Sequence, residues 1–213
     1  MRISVAKRRE LAALSWDALV GAFPEASCTL DSDTPERLAI RGILSAQCTD
    51  ERVNITANDL FGKYPDMSTI LDAGYDEIAA IIKPCGLTKG KTLAILDFAT
   101  KYMYEWGQEV PNDVDKLMTC KGVGKKIANL IVGEIYGTPA MVVDTHCKRV
   151  MYRIGITDNT DPLKVEADVC KYFPSEQWIR LGHLAVNLGR TYCVARGAKC
   201  DSCPLSEFCC KRV

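Results

Sequence analysis

The stretch KGVGKKIANL, residues 121–130, sets two glycines around a valine, follows them with two adjacent lysines and then turns apolar. Upstream, Val114, Leu117 and Met118 fit a short helix over 113–119. Downstream, Ile127, Leu130, Ile131 and Ile135 recur at helical spacing, the buried stripe of a second helix from Lys125 to Ile135. The stretch therefore predicts helix, tight turn over Cys120 to Gly124, helix.

Glycines at 122 and 124 permit positive φ and leave the backbone bare, so N–H groups of the turn and of the helix start can point at an anion such as a phosphate. An ordinary helix–helix turn is the plainer alternative, because G-x-G is common there. The lysines favour the anion site. Lys125 and Lys126 stand at the positive end of the helix dipole with Lys121 close by, which opposes stability by about 0.3–1 kcal/mol each. Helix field and neighbouring cation both disfavour the ammonium form, and partial burial would add to this. One of the two amines is then a candidate neutral nucleophile for an electrophilic carbon, against the alternative of two solvated surface lysines.

A second stretch, MVVDTHCKRV (141–150), places Asp144 after an apolar run and before a helical pattern with Val150 and Met151. Aspartate there is a good N-cap. Such a carboxylate, oriented by backbone donors, can also stabilise developing positive charge or handle a proton. His146 lacks a second His or Cys at ligand spacing and reads as structural. Lys148, Arg149 and Arg153 add cations that suit either phosphates or a solvated face.

Elsewhere helical periodicity dominates. Thr34-Pro35-Glu36 and Thr49-Asp50-Glu51 read as helix starts, Asp76-Glu77 opens another segment, and residues 91–106 form a further helix. The best strand pattern, Ala140-Met141-Val142-Val143, serves equally as an extended connector. The expected fold class is all-α, and 213 residues allow one or two domains. Lys plus Arg number 27, as do Asp plus Glu, so a nucleic-acid partner must be met by a local patch. No run of eighteen apolar residues occurs, and Lys7, Arg8 and Arg9 lead into an amphipathic pattern (Leu11, Leu14, Ala18, Leu19) rather than a signal core, so a soluble, cytoplasmic protein is expected.

The eleven cysteines divide into two sets. Cys28, Cys48, Cys85, Cys120, Cys147 and Cys170 lie scattered in apolar or helical contexts and read as small buried hydrophobes. Cys193, Cys200, Cys203 and Cys209 have the spacing C-x6-C-x2-C-x5-C, close enough in sequence for four thiolates to converge on one metal centre, either zinc or an iron–sulfur cluster. Zinc ribbons usually pair two C-x2-C knuckles, and only one is present. Cys210 competes with Cys209 as fourth ligand on spacing alone. Arg196 and Lys199 lie in the first loop between ligands, where a pinned chain would present them to phosphates.

Taken together, KGVGKKIANL, VDTHCKRV and the cysteine spacing, with ILSAQCTD (43–50) and CGLTKGK (85–91), resemble the endonuclease III family of helix-hairpin-helix DNA glycosylases over nearly the whole chain. The resemblance implies two α-helical domains with a DNA-binding cleft between them: a six-helix domain over 28–138 carrying the helix-hairpin-helix, and a second of 1–27 plus 139–213 carrying a C-terminal 4Fe-4S cluster loop. It implies a bifunctional DNA glycosylase and AP lyase of base excision repair, acting as a monomer on duplex DNA with oxidised pyrimidines or abasic sites, and in a bacterium near the nucleoid. Lys126, not Lys125, matches the nucleophile and Asp144 the assisting carboxylate. Gln47 and Leu87 match residues that fill the gap left by an extruded base. Lys121, Gly122, Gly124, Lys125, Arg149, Arg196 and Lys199 are the expected further DNA contacts. Cys193, Cys200, Cys203 and Cys209 would hold the cluster.

The chain departs from the family pattern at three places. Cys120-Lys121 stands where Leu-Pro usually precedes GVG, Thr88 follows Gly86-Leu87 where tyrosine is usual, and Leu188 replaces a common histidine. A mismatch-specific glycosylase and a non-catalytic binder of damaged DNA are the alternative readings.

Overall fold

The computed structural model describes residues 3–31 and 33–212. Among these the chain is all-helical, with ten α-helices, two short 3-10 helices and no strand. It divides into two compact units, one of Cys28–Thr138 and one of Met1–Ser27 with Pro139–Val213.

The first unit holds α2 (Pro35–Leu44), α3 (Asp50–Lys63), α4 (Met67–Ile82), α5 (Thr88–Tyr104), α6 (Val114–Met118) and α7 (Lys125–Tyr136). Helix α2 begins behind Thr34 with Pro35 at its first position, as its sequence predicts. Every residue from Leu38 to Leu44 is buried, and α2 packs on α3, α5 and α7. Gly42 makes the α7 contact close, because a Cβ there would stand 3.1 Å from Ile127 Cγ2. Ile127, Leu130 and Ile131 of α7 are buried, and each such side chain contributes about 1.5–3 kcal/mol relative to exposure. Helix α4 differs from expectation. It starts at Met67, capped by Asp66, and Gly74 breaks it with φ 71 and ψ −172, so Asp76-Glu77 opens only its second half.

The second unit holds α1 (Val5–Ala22), α8 (Thr145–Ile154), α9 (Pro162–Tyr172) and α10 (Trp178–Thr191). Its core includes Leu11, Leu19, Val150, Met151, Val165, Leu181, Leu184 and, from the cysteine-rich tail, Leu205. Leu14, expected on the buried face of α1, is 39% exposed; Arg8, Ala12 and Ser15 take that face instead. The reason for a buried arginine is local. Arg8 donates to the Ile156 carbonyl and to Asp158, whose other oxygen accepts from Arg212, so the N-terminal helix and the C-terminal tail are fastened to one turn. Residues 140–143 form the extended connector rather than a strand, with Ala140, Met141 and Val143 buried.

No helix among the described residues is long and apolar enough to cross a membrane. Of the scattered cysteines, Cys85, Cys120 and Cys147 are buried as expected, whereas Cys28, Cys48 and Cys170 are only half-buried.

Candidate nucleic-acid interface and cysteine centre

In the first unit, α6, the turn and α7 fall where the hairpin reading puts them, α7 starting at Lys125 behind Gly124. Gly122 takes φ 73, and a Cβ on it would meet Ala94 Cβ of α5 at 2.8 Å, so this position excludes side chains on two counts. Gly124 differs: its φ of −89 is ordinary and a Cβ would meet nothing within 4 Å. Its lack of a side chain therefore serves no contact inside the chain, but leaves the backbone at the start of α7 open to an outside group. Lys121 and Lys126 are exposed and Lys125 half-buried around this opening. The partial burial expected of the nucleophile is not found at Lys126; what the fold supplies there is a place in the first turn of α7. Its charge reaches the Cys28 thiol, which burial and then Glu134 push up to about 11 while Lys126 draws it down.

Two further loops carry Gln47 and Leu87. Both residues are exposed, and both take left-handed backbone, φ 53 and φ 49. Only four non-glycine residues among those described do so. Left-handed backbone costs a side-chain-bearing residue about 1–2 kcal/mol, and leucine has no polar group to offset it, so the pair marks strain held for something outside the folding of the unit. The two loops meet through their cysteines. Burial, then the neighbouring Cys85 thiol, raises Cys48, and the buried Lys91 ammonium donates to the Cys85 carbonyl at 2.8 Å. Burial pushes Lys91 down while both cysteines draw it up.

In the second unit Asp144 caps α8, its Oδ1 accepting the Cys147 N–H at 2.7 Å, so the carboxylate is oriented as its sequence position predicts. The Cys147 thiol behind it is pushed far up by burial and then by Asp144. His146 is structural: its Nδ1 meets Arg149 at 3.1 Å, and Gly189 of α10 leaves room for its ring.

Among the described residues the tail from Cys193 has no regular secondary structure, and side chains of α8 hold it. Arg149 Nε donates to the Cys193 carbonyl at 2.8 Å, and its Nη2 to that of Gly189 at 2.9 Å. Arg153 donates to the Val194 and Ala195 carbonyls and toward Cys193 Sγ at 3.5 Å. Arg149, expected as a phosphate contact, is thus engaged in holding the tail. Sequence reasoning missed this pair of clamps, although their i, i+4 spacing on α8 puts both on one face. Arg196 and Lys199 are exposed in the held loop.

One cavity is lined by all four expected ligands, Cys193, Cys200, Cys203 and Cys209, together with Arg153 and Lys211. Cys210 is not among its walls; it is exposed, with its Sγ at Gly155. Among the described residues no three His, Cys, Asp or Glu side chains stand ready at metal-ligand spacing. The chemistry of the lining nevertheless suits a thiolate-ligated centre. Lys211 N–H donates to Cys209 Sγ at 3.4 Å and Arg153 to Cys193 Sγ, and such donors, with the three cations Arg153, Lys199 and Lys211 at the wall, offset the negative charge of bound thiolates.

Residues 40–175 match the HhH-GPD superfamily of base excision DNA repair proteins. Endonuclease III of Synechocystis is 38% identical over 88% of this chain and 86% of its own length, and that of Bacillus subtilis 37% identical over 91% and 89%. The chain belongs to the endonuclease III family. A solved endonuclease III family structure, a trapped covalent DNA intermediate in its estranged-adenine complex, is 35% identical and superposes with a TM-score of 0.90 over 94% of this chain and 95% of that one. The fold built around the hairpin is therefore the endonuclease III fold.

Proposed function

We propose that the chain is a bifunctional DNA glycosylase and AP lyase of base excision repair, acting on oxidised pyrimidines and abasic sites in duplex DNA. The observation that carries this reading is the coincidence on one unit of an exposed lysine in the first turn of α7, a bare glycine beside it, and two strained, exposed loop residues, Gln47 and Leu87. Family membership points the same way, and the endonuclease III relative was trapped covalently on DNA.

In this reading a DNA phosphate lies at the Gly122–Gly124 turn with Lys121 and Lys125, while Gln47 and Leu87 enter the stack where a nucleotide has been turned out. The unprotonated amine of Lys126 attacks C1′ of the sugar and the C1′–N bond to the base breaks, with Asp144 stabilising positive charge on the sugar and taking a proton from the amine. Loss of that proton leaves a neutral aminal at C1′ while the departing base anion takes up a proton; the C1′–O4′ bond then breaks as O4′ is protonated, and the opened sugar is joined to the lysine by an iminium. The iminium acidifies the C2′ proton, whose removal breaks the C3′–O bond and expels the 3′ phosphate by β-elimination. Water then releases the lysine.

Cys193, Cys200, Cys203 and Cys209 would hold a 4Fe-4S cluster whose four-point ligation fixes the tail without regular secondary structure. Cys209 rather than Cys210 is the fourth ligand in this reading, because only Cys209 lines the cavity. Arg196 and Lys199 then present their charges from a fixed loop, and Arg149 positions that loop rather than touching DNA.

Borohydride reduction in the presence of an abasic duplex tests the proposal. Wild type is expected to form a covalent adduct, and Lys126→Gln to lose both adduct and scission by at least about a thousandfold while still binding the duplex. Undiminished scission by that variant would falsify the assignment. Equal binding of damaged and intact duplex with no turnover would favour a non-catalytic binder.

A further inference from the structure

The turn that precedes α7 has no proline at 121, and the backbone N–H that lysine keeps there has a specific acceptor. Lys121 N–H donates to Asp97 Oδ2 of α5 at 2.9 Å. The same carboxylate lies beside the Cys120 thiol, which burial and then Asp97 itself push up to about 12. One turn earlier on α5, Ala94 sits where a Cβ on Gly122 would strike it. One turn later, Lys101, paired with Glu105, lies near enough to feel the charge of Asp97. Positions 94, 97 and 101 share one face of α5, so this face is the seat of the turn. Val123 N–H closes the turn on the Cys120 carbonyl at 3.2 Å, which leaves the Asp97 carboxylate as the link from the turn's backbone to the helix beneath it.

We propose that Asp97 is a positioning residue for the hairpin's phosphate site, fixing through the Lys121 N–H the setting in which Gly122 and Gly124 face a DNA backbone. An uncommitted carboxylate beside a phosphate would oppose binding. Here its Oδ2 is engaged by the Lys121 N–H, and the Cys120 thiol and Lys101 lie beside it, so it holds the turn while its charge is locally offset. Proline at 121 would stiffen the turn covalently but could not use this acceptor; lysine keeps the N–H, and Asp97 supplies from α5 the restraint that the ring would have supplied. The inference rests on the reading of the turn as a phosphate site.

The test uses the full chain and a duplex bearing a tetrahydrofuran abasic analogue, which is bound but not cleaved. Asp97→Ala is expected to weaken binding about tenfold and to speed hydrogen exchange at the Lys121 amide, with single-turnover scission of a true abasic duplex at saturating protein within about twofold of wild type. Asp97→Asn, whose amide oxygen still accepts, should recover most of the binding. In a Lys121→Pro background, which has no N–H to hold, Asp97→Ala should add less than about a twofold further loss. A thermal melt of each variant identifies any that fails to fold, and Asp97→Asn then carries the comparison with Lys121→Pro. Wild-type affinity and wild-type Lys121 exchange in Asp97→Ala would overturn the proposal. So would a full tenfold loss from Asp97→Ala when position 121 is proline. Wild type that neither binds nor cleaves damaged duplex would instead overturn the phosphate reading, and accelerated Lys121 exchange in Asp97→Ala would then still show the restraint itself.

Discussion

The hairpin of the first unit and the cysteine tail of the second are both short segments that must hold a few groups in fixed positions, and they do it in opposite ways. The hairpin is framed by two helices, with Gly122 pressed on Ala94 and the α7 stripe buried against α2. Its geometry comes from backbone hydrogen bonds and close packing. Among the described residues the tail has no helix after Thr191, and Leu205, with Phe208 packed against the core, anchors it. Its carbonyls are caught by Arg149 and Arg153, and the thiols of Cys193, Cys200, Cys203 and Cys209 line one cavity. A segment built from regular structure carries its own restraints. One built from irregular chain must borrow them from side chains and, in the proposed reading, from a metal centre.

The largest expected effect tests the second half of this contrast. Cys203→Ser should lower iron content and visible absorbance and destabilise the second unit by more than about 4 kcal/mol, seen as proteolysis within 193–212, while Cys210→Ser retains wild-type iron. Full iron stoichiometry in Cys203→Ser would remove Cys203 from the ligand set, and wild type purified without iron would remove the cluster.

The hairpin offers a finer separation. Gly122→Ala must place a Cβ in left-handed backbone and against Ala94, and should cost about 2 kcal/mol of stability in chemical denaturation. Gly124→Ala should melt within about 0.5 kcal/mol of wild type yet bind a tetrahydrofuran duplex at least about tenfold more weakly, because its Cβ occupies only the space left for a ligand. If both variants lost stability alike, Gly124 would be a structural glycine and the open backbone would lose its meaning.

The smallest effect concerns the clasp that ties α1 to the tail. The Arg212 hydrogen bond, working against burial, and then the Arg8 charge hold the Asp158 carboxyl below the usual range. A carboxyl lowered in this way contributes stability above its unfolded value of about 3.9 and loses it as pH falls through the lower folded value. Asp158→Asn should therefore lower Tm by a few degrees at pH 7, with the gap closing toward pH 3. A gap that stayed constant across that range would assign the effect to packing rather than to charge.

Much of the fold was legible because its signals are local. The α7 stripe, Pro35 behind Thr34 and Asp144 ahead of α8 each depend on neighbours within a turn or two of chain, and the structure places helix starts at all three. The kink at Gly74 was not legible, since a glycine inside a helical pattern is usually tolerated. The family resemblance named Gln47 and Leu87, but their strain shows only in φ. Arg149 reads as a cation free to meet phosphate until the tail, more than forty residues further on, is seen to occupy it.

By itself the sequence determined the helical class, the hairpin, the capping carboxylate and the four-cysteine spacing, because periodicity, caps and short spacings act over a few residues of chain. Tertiary structure alone decided which charges are engaged and which are open: Arg149 and Arg153 closed on the tail, Asp97 on the turn, Lys126 left exposed. A hydrogen bond or an ion pair depends on distances of a few ångströms, and folding sets those distances between residues that the sequence keeps far apart.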